Sequence, residues 1–121
     1  MNVEEFRDYC LRKQAVTESF PFDEHTLVFK VMNKMFALVA LERMPPQANL
    51  KCDPERALEL REEYDGTVIP GYHMSKKHWN TIMLEQLEPR MICELIDHSY
   101  ELVVSKLPKK ERLKLEGENP G

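Results

Sequence analysis

The fold is decided by LVFKVMNKMFALVAL, residues 27–41. This stretch is rich in β-branched and aromatic residues, which favour strands, and it is interrupted by Asn33-Lys34, a pair that suits a short hairpin turn. It therefore predicts two antiparallel strands, near residues 26–32 and 35–42. The second strand is apolar at nearly every position, as expected for a central strand that is buried on both faces.

The rest of the chain alternates helical and extended patterns around this hairpin. Helices are predicted at residues 3–13, after the start signal Asp53-Pro54, and from Pro89 to a stop at Pro108, whereas ANLKC, TVIPGYHMS and KHWNTIML are predicted to be extended. The loop SFPFDEHT should fold Phe20 and Phe22 back onto the core. The resulting order, α-β-β-β-α-β-β-α, describes a single α+β domain over residues 1–110, with an antiparallel sheet and three helices. The polar residues 111–121 are predicted to form a frayed tail.

Composition and charge narrow the functional classes. The 121 residues are 42% hydrophobic and 31% charged, which is typical of a globular domain with a highly charged surface. The formal net charge of -4 argues against a large sequence-independent affinity for nucleic acid, because that affinity depends on neutralising phosphates. Two segments are nevertheless basic: residues 72–80 hold two lysines and no acid, and residues 105–114 hold five bases and one acid. An anionic partner would have to use these segments.

Targeting signals and cysteine usage indicate an intracellular protein. No apolar run is long enough to span a bilayer, and the acidic, amphipathic start differs from a secretory signal. The three cysteines are odd in number and far apart, so they offer neither a disulfide framework nor a CxxC motif. We expect a cytoplasmic monomer with no cofactor and no contact with a membrane.

Catalytic and metal-binding patterns are weak in this sequence. His73 and His78 are five residues apart, which places them on opposite faces of a strand and far apart around a helix. Cys52 precedes a predicted helix start, where the helix dipole favours a thiolate, but Asp53 competes for the same positive end. Glycine-rich phosphate loops and the GxSxG nucleophile motif are absent from the sequence. We therefore predict neither an enzyme nor a metal site.

Nucleic-acid binding is the functional alternative that remains for the side-chain chemistry of one segment. In VIPGYHMSKKHWNT, residues 68–81, Lys76 and Lys77 can hold phosphates and Asn80 can contact base edges. The alternative is structural, since Trp79 would then anchor the core and the lysine pair would form an ordinary solvated turn.

Four motifs in series resemble those of the MmcQ/YjbR family of bacterial proteins. They are SFPFDEHTLVFKVMNKMFAL, LKCDPERALELREEY, VIPGYHMSKKHWNTI and LIDHSYELVVSKLPKK, and the resemblance extends from the first helix to about Lys110. It implies a CyaY-like or double-wing domain, in which two β-hairpins flank a helical layer, and it implies DNA binding by analogy of fold. One departure is the first hairpin turn, where Asn33-Lys34 stands in place of the glycine that relatives often have before the lysine. Asparagine tolerates positive φ, so we expect the turn to be kept.

These arguments predict two alternative sets of contact residues. The first set would bind DNA weakly and in a salt-dependent manner through the two wings, and it consists of Lys30, Lys34, Lys76, Lys77, His78 and Asn80. The alternative function is a non-catalytic protein-interaction or small-ligand module, whose groove would be lined by Asp23, Tyr72, His73, Lys77 and Trp79. A positive face across both hairpins would favour DNA, whereas a concave pocket near Asp23 and His73 would favour a ligand.

Overall fold

The computed structural model of the chain describes residues 1–71 and 74–117. Its elements are α1 (Val3–Leu11), β1 (Val16–Ser19), β2 (Thr26–Val31), β3 (Lys34–Ala40), β4 (Gln47–Lys51), α2 (Pro54–Glu63), β5 (Val68–Pro70), β6 (Trp79–Met83), α3 (Pro89–Ser105) and α4 (Lys109–Gly117). The α+β class is confirmed, and β1 and α4 are additions to the predicted order. β1 escaped prediction because VTES is short, polar and half-exposed, as edge strands often are.

The strands form one six-stranded sheet in the order β1-β2-β3-β4-β6-β5. All neighbouring strands are antiparallel. The two predicted hairpins are therefore β2-β3 and β5-β6, and β4 lies between them and joins them into a continuous sheet. The same register determines which loops meet at each end of the sheet.

The turn between β2 and β3 lies one residue earlier than predicted. Val31 pairs with Lys34, so the two turn residues are Met32 and Asn33, with φ angles of 48° and 66°. Two positive φ angles in a two-residue loop are characteristic of a type I′ turn, whose twist matches that of the strands. The expectation that Asn33 would adopt positive φ is confirmed.

One face of the sheet, the covered face, packs against the helices. All four helices contribute buried side chains to a single cluster with this face. Leu27, Phe29 and Val31 of β2 belong to it, because residues two apart in a strand point to the same face. The Phe6 and Phe29 rings meet edge to face at 6.1 Å, which joins α1 to the centre of the sheet.

The opposite face, the open face, carries a much smaller cluster. Val28, Leu38 and Trp79 are buried there, and Met35 and Met74 pack against them. Trp79 is therefore a structural anchor, as expected, but on the face opposite the helices. Phe22 is 64% exposed and Phe20 is 48% exposed, so the prediction that both fold back onto the core was wrong. Their loop connects β1 to β2 at the end of the sheet and leaves both rings partly in solvent.

Local sequence signals account for the helix boundaries. The Asp53 side chain accepts hydrogen bonds from the backbone N–H groups of Glu55 and Arg56, and Pro54 occupies the first turn of α2.

The expected frayed tail from residue 111 is corrected over residues 111–117, which belong to α4. Leu115 is buried there and its carbonyl accepts a hydrogen bond of 2.5 Å from Gln14 Nε2, so this segment has an anchor. No helix within the described residues is long and apolar enough to cross a bilayer.

Candidate functional site

The strand register gathers lysines at one end of the sheet. Lys34 begins β3 next to the β2-β3 turn, and Lys51 ends β4 beside Trp79, where β6 begins. The loop before β6 therefore lies at the same end as Lys34 and Lys51. We call this region the lysine end and define it by Lys30, Lys34, Lys51, Lys76, Lys77 and Lys106.

Within the lysine end, Lys51 lies close enough to Lys106 and Lys34 for their like charges to interact. The pKa of Lys51 is lowered from its ordinary value, first by burial and then by repulsion from Lys106 and Lys34. None of the six lysines forms a salt bridge with a residue in the described part of the chain. No salt bridge within the described residues therefore pairs these charges directly, although Glu55 lines the same cavity as Lys76 and Lys77.

Arg61 of α2 holds the loop that presents Lys76 and Lys77. Its guanidinium donates to the carbonyl of Lys76, to the carbonyl of Trp79 at 3.2 Å and to Asn80 Oδ1 at 2.7 Å. The two lysine side chains stay exposed. The loop backbone is thus fixed by hydrogen bonds to α2, while the two charges remain available to a partner.

His78 and Asn80 differ in accessibility from what the sequence suggested. His78 is half-buried, and its carbonyl accepts a hydrogen bond of 2.8 Å from the Cys52 N–H. Asn80 is only 2% exposed, so its predicted role at base edges is corrected. In β6 the side chains alternate between faces, and Asn80 shares the helix-covered side with Ile82. Its Oδ1 binds Arg61, so the residue supports the loop instead of facing a partner.

In the first predicted wing, the two lysines also differ in accessibility. Lys30 is half-buried opposite Met35, whereas Lys34 is exposed beyond the turn. The structure therefore brings Lys34, Lys76 and Lys77 to one end as exposed charges, with Lys30 and His78 at its margin.

The alternative ligand groove is not assembled as predicted. Asp23 lies in the loop before β2, where it accepts hydrogen bonds from the N–H groups of His25 at 2.8 Å and Thr26 at 2.7 Å. These bonds lower the pKa of Asp23 from its ordinary value. Lys77 lines a different cavity of about 230 Å³ beside α2, and Trp79 is buried in the open-face cluster. Tyr72 and His73 lie outside the described residues.

Catalytic and metal-binding alternatives gain no support from the geometry. Burial raises the pKa of the Cys52 thiol to about 11, which opposes the thiolate that a nucleophile requires. Across residues 1–71 and 74–117, no three histidine, cysteine or acidic side chains converge as metal ligands.

Sequence reasoning missed Lys51, Lys106 and Arg61. Lys51 stands alone in an otherwise ordinary strand, and only the pairing of β4 with both β3 and β6 places it between the two hairpins. Lys106 belongs to a basic segment that is evident in the sequence, but the sequence does not show that this lysine lies near Lys51. Arg61 looked like one charge among several on a helix surface, and no local pattern indicates its three acceptors.

Comparison with known proteins defines the family. The YjbR family model matches residues 11–102. The protein YjbR of Escherichia coli K12 is 34% identical over 113 residues, covering 93% of this chain and 95% of its own. A crystal structure of Deinococcus radiodurans protein DR2400 superposes with a TM-score of 0.89 at 40% identity, covering 95% of this chain and 88% of that one. A crystal structure from Pseudomonas syringae gives 0.72 at 29% identity, covering 84% and 98%. The names of these proteins specify no activity or ligand, but the extent and order of the match confirm the resemblance of the four motifs, and the chain belongs to the YjbR family.

Proposed function

We propose that the lysine end binds the phosphate backbone of DNA, weakly and in a salt-dependent manner. The observation that carries the proposal is the convergence of lysines from both hairpins without carboxylate partners among the described residues. A polyanion with regularly spaced phosphates would relieve the repulsion within this cluster and release its own counterions. The resemblance to double-wing domains supports the same partner.

The charge distribution argues for weak binding. The chain carries a net charge of -4, so the protein as a whole repels DNA, and attraction has to come from local basic surfaces such as this end. Only a few phosphates can be engaged by Lys34, Lys76 and Lys77 together with the half-buried lysines. Affinity should therefore be modest and should fall steeply as salt increases.

The same geometry argues for binding that is independent of base sequence. Sequence is read by side chains that reach base edges, and the residue predicted for that role, Asn80, is buried. The exposed groups at the lysine end are ammonium groups, which hold phosphates and carry little sequence information. We assign no catalytic step to the chain.

The alternative from the sequence, a non-catalytic module for a small ligand or a protein partner, draws support from a separate feature. A cavity of about 370 Å³ opens on the open face and includes Asp23 among its lining residues. This cavity is distinct from the lysine end, so the two functions can be tested independently.

Fluorescence anisotropy with a labelled, mixed-sequence DNA duplex tests the leading proposal. At about 50 mM salt we expect binding in the range of tens of micromolar protein, with log K decreasing linearly against log salt. The double variant Lys34→Gln/Lys77→Gln should reduce the slope by about one unit per lysine. Arg90→Gln is the matched control, because it removes one exposed charge from the start of α3 at the other end of the sheet. No binding by the wild type, or equal slopes in the lysine variant and the wild type, would exclude the proposal.

A further inference from the structure

A cavity lies on the open face of the sheet. Its volume is about 370 Å³, which falls within the range of small-molecule sites. It is lined by Phe22, Asp23, Thr26, Leu38, Ala40, Arg43, Gln47, Ala48, Asn49 and Met74. The β1-β2 and β3-β4 loops form one wall, and Met74, before β6, forms the other. No helix in the described part of the chain covers this face.

The walls and floor of the cavity are suited to a flat apolar ligand. Leu38 and Ala40 of β3 form the floor together with the backbone at Ala48. Phe22 stands at one side with 64% of its surface exposed, and Met74 is half-buried at the other. An exposed aromatic ring beside a smooth floor and a polarizable thioether offers a planar molecule two faces to contact.

The polar groups of the cavity are carboxamides on one strand. Gln47 and Asn49 are two residues apart in β4, so both side chains project from the open face. The Asn49 Oδ1 accepts a hydrogen bond from the Thr81 hydroxyl, which leaves its Nδ2 as a donor. The Gln47 carboxamide makes no hydrogen bond to a described residue, so it presents a donor and an acceptor side by side.

The charges of the lining indicate an uncharged ligand. Asp23 and Arg43 are the charged residues in the lining, and their formal charges cancel. Both carboxylate oxygens of Asp23 already accept hydrogen bonds at the start of β2, from backbone N–H groups and from the Thr26 hydroxyl. The carboxamides are therefore the groups best placed to determine the orientation of a ligand.

We propose that this cavity binds an uncharged, planar nitrogen heterocycle of the purine nucleoside class, recognised through the Gln47 carboxamide. A glutamine side chain matches the adjacent amino donor and ring-nitrogen acceptor of adenine in a bidentate arrangement. The floor at Leu38 and the side chains of Phe22 and Met74 would contact the faces of the ring. The site shares no residue with the lysine end, so failure of this inference and failure of DNA binding are separate results.

The chain supplies its own reporter for this site. Trp79 is the only tryptophan, and it packs in one cluster with Leu38 and Met74, both of which line the cavity. Adenosine should change the fluorescence of Trp79 in a saturable manner when the indole is excited at wavelengths where a purine does not absorb. Isothermal titration calorimetry on the same protein gives the dissociation constant, which we expect below about 1 mM for a ligand of this size.

Two variants and one analogue distinguish recognition from nonspecific contact. Gln47→Leu keeps the side-chain volume but removes both hydrogen-bonding groups, so adenosine should bind at least about tenfold more weakly. Gln86→Leu is the matched control, since Gln86 is exposed and pairs with Thr67 outside the cavity. Ribose, which lacks the base, should not bind to the wild type. Circular dichroism verifies that each variant is folded.

Three outcomes would overturn the inference. The first is that calorimetry detects no binding of adenosine at millimolar concentrations. The second is that the wild type and the folded Gln47→Leu variant bind adenosine with equal affinity. The third is that Gln86→Leu loses as much affinity for adenosine as Gln47→Leu does. The inference is supported if adenosine binds the wild type more tightly than it binds the Gln47→Leu variant and if ribose does not bind.

Discussion

The covered face of the sheet and its lysine end follow opposite rules. On the covered face, apolar side chains are packed together and a buried polar group has partners: the Ser99 hydroxyl accepts from the Lys51 N–H at 2.9 Å and donates to the Phe36 carbonyl at 2.5 Å. At the lysine end, side chains of the same charge lie close together without carboxylate partners in the described part of the chain. On the covered face the Ser99 hydroxyl is paired within the protein, while the buried Asn80 Nδ2 has no hydrogen-bond partner among the described residues. The six lysines of the lysine end form no salt bridge with those residues.

This difference separates what stabilises the molecule from what is available to a partner. Burial of apolar surface and paired polar groups lower the free energy of the folded state. A cluster of like charges raises it, and local conflicts of this kind are expected at binding sites. Substitutions in the two regions should therefore change stability by different amounts and in opposite directions.

The largest effect is expected in the covered face. Phe29→Ala removes a ring that is 0% exposed, so the free energy of unfolding should fall by roughly 3–5 kcal/mol. Phe22→Ala makes the same chemical change at a ring that is 64% exposed, and it should alter stability by less than about 0.5 kcal/mol. Urea denaturation followed by circular dichroism measures both. Similar losses in the two variants would mean that the division between the regions is wrong.

A smaller effect is expected at the junction between the sheet and the lysine-bearing loop. A Cβ at Gly71 would lie 2.7 Å from Trp79 Cβ and 3.0 Å from the Trp79 carbonyl oxygen, so the backbone would have to move. Gly71→Ala should therefore lower the free energy of unfolding by roughly 1–3 kcal/mol. At Gly117 an added Cβ meets nothing within 4 Å, and Gly117→Ala is the control. A Gly71→Ala variant as stable as the wild type would show that this close approach is absent.

His98 provides a pH-dependent test of packing between α3 and the start of α2. Its Nε2 accepts a hydrogen bond of 3.1 Å from the Asp53 N–H, which requires an unprotonated nitrogen. Burial, followed by repulsion from Arg56, lowers the pKa of His98 from its ordinary value of 6.5. As pH falls below about 6.5, the unfolded chain takes up this proton before the folded one does, so stability decreases until the folded pKa is passed.

The His98→Gln variant isolates this contribution from that of the carboxylates. Glutamine can accept the same hydrogen bond but does not titrate. Urea denaturation of both proteins at about pH 7.5 and about pH 5.5 should show a smaller loss of stability in the variant. Equal losses would indicate that His98 is no less protonated in the folded protein than in the unfolded chain.

The smallest effect is expected at the lysine end, and it has the opposite sign. Lys34→Gln removes one of the charges that lower the pKa of Lys51, so stability should rise by roughly 0.3 kcal/mol. The gain should disappear at about 1 M salt, where exposed charges are screened. Lys34→Arg keeps the charge and should show no gain. A loss of stability in Lys34→Gln at low salt would contradict the repulsion inferred for this cluster.

Much of the fold was predictable because local patterns agree with it. Asp53-Pro54, the apolar alternation of β2 and the composition of β3 each specify one conformation. The edge strand β1 and helix α4 were missed because they depend on tertiary contacts: β1 pairs with β2, and α4 is anchored through Leu115. Short polar segments carry too little local information to reveal such partners.

The candidate site was less predictable than the fold, for a geometric reason. Lys76 and Lys77 stand out in the sequence because they are adjacent, and the structure leaves both exposed. Asn80 was misassigned because its face depends on the strand register, which the loop before it obscured. Lys51 was missed because its relation to Lys34 exists only across strands, and such pairs leave no trace in sequence spacing.

Backbone amide NMR shifts, followed during titration with a short mixed-sequence duplex at low salt, would identify the surface that contacts DNA. If the lysine end binds DNA, the shifts should be concentrated at Lys34, Lys51 and residues 75–78 and should diminish as salt is added. Few shifts are expected in the loops at residues 20–25 and 41–46, at the opposite end of the sheet. Shifts centred on those loops, or no shifts anywhere, would contradict DNA binding by the lysine end.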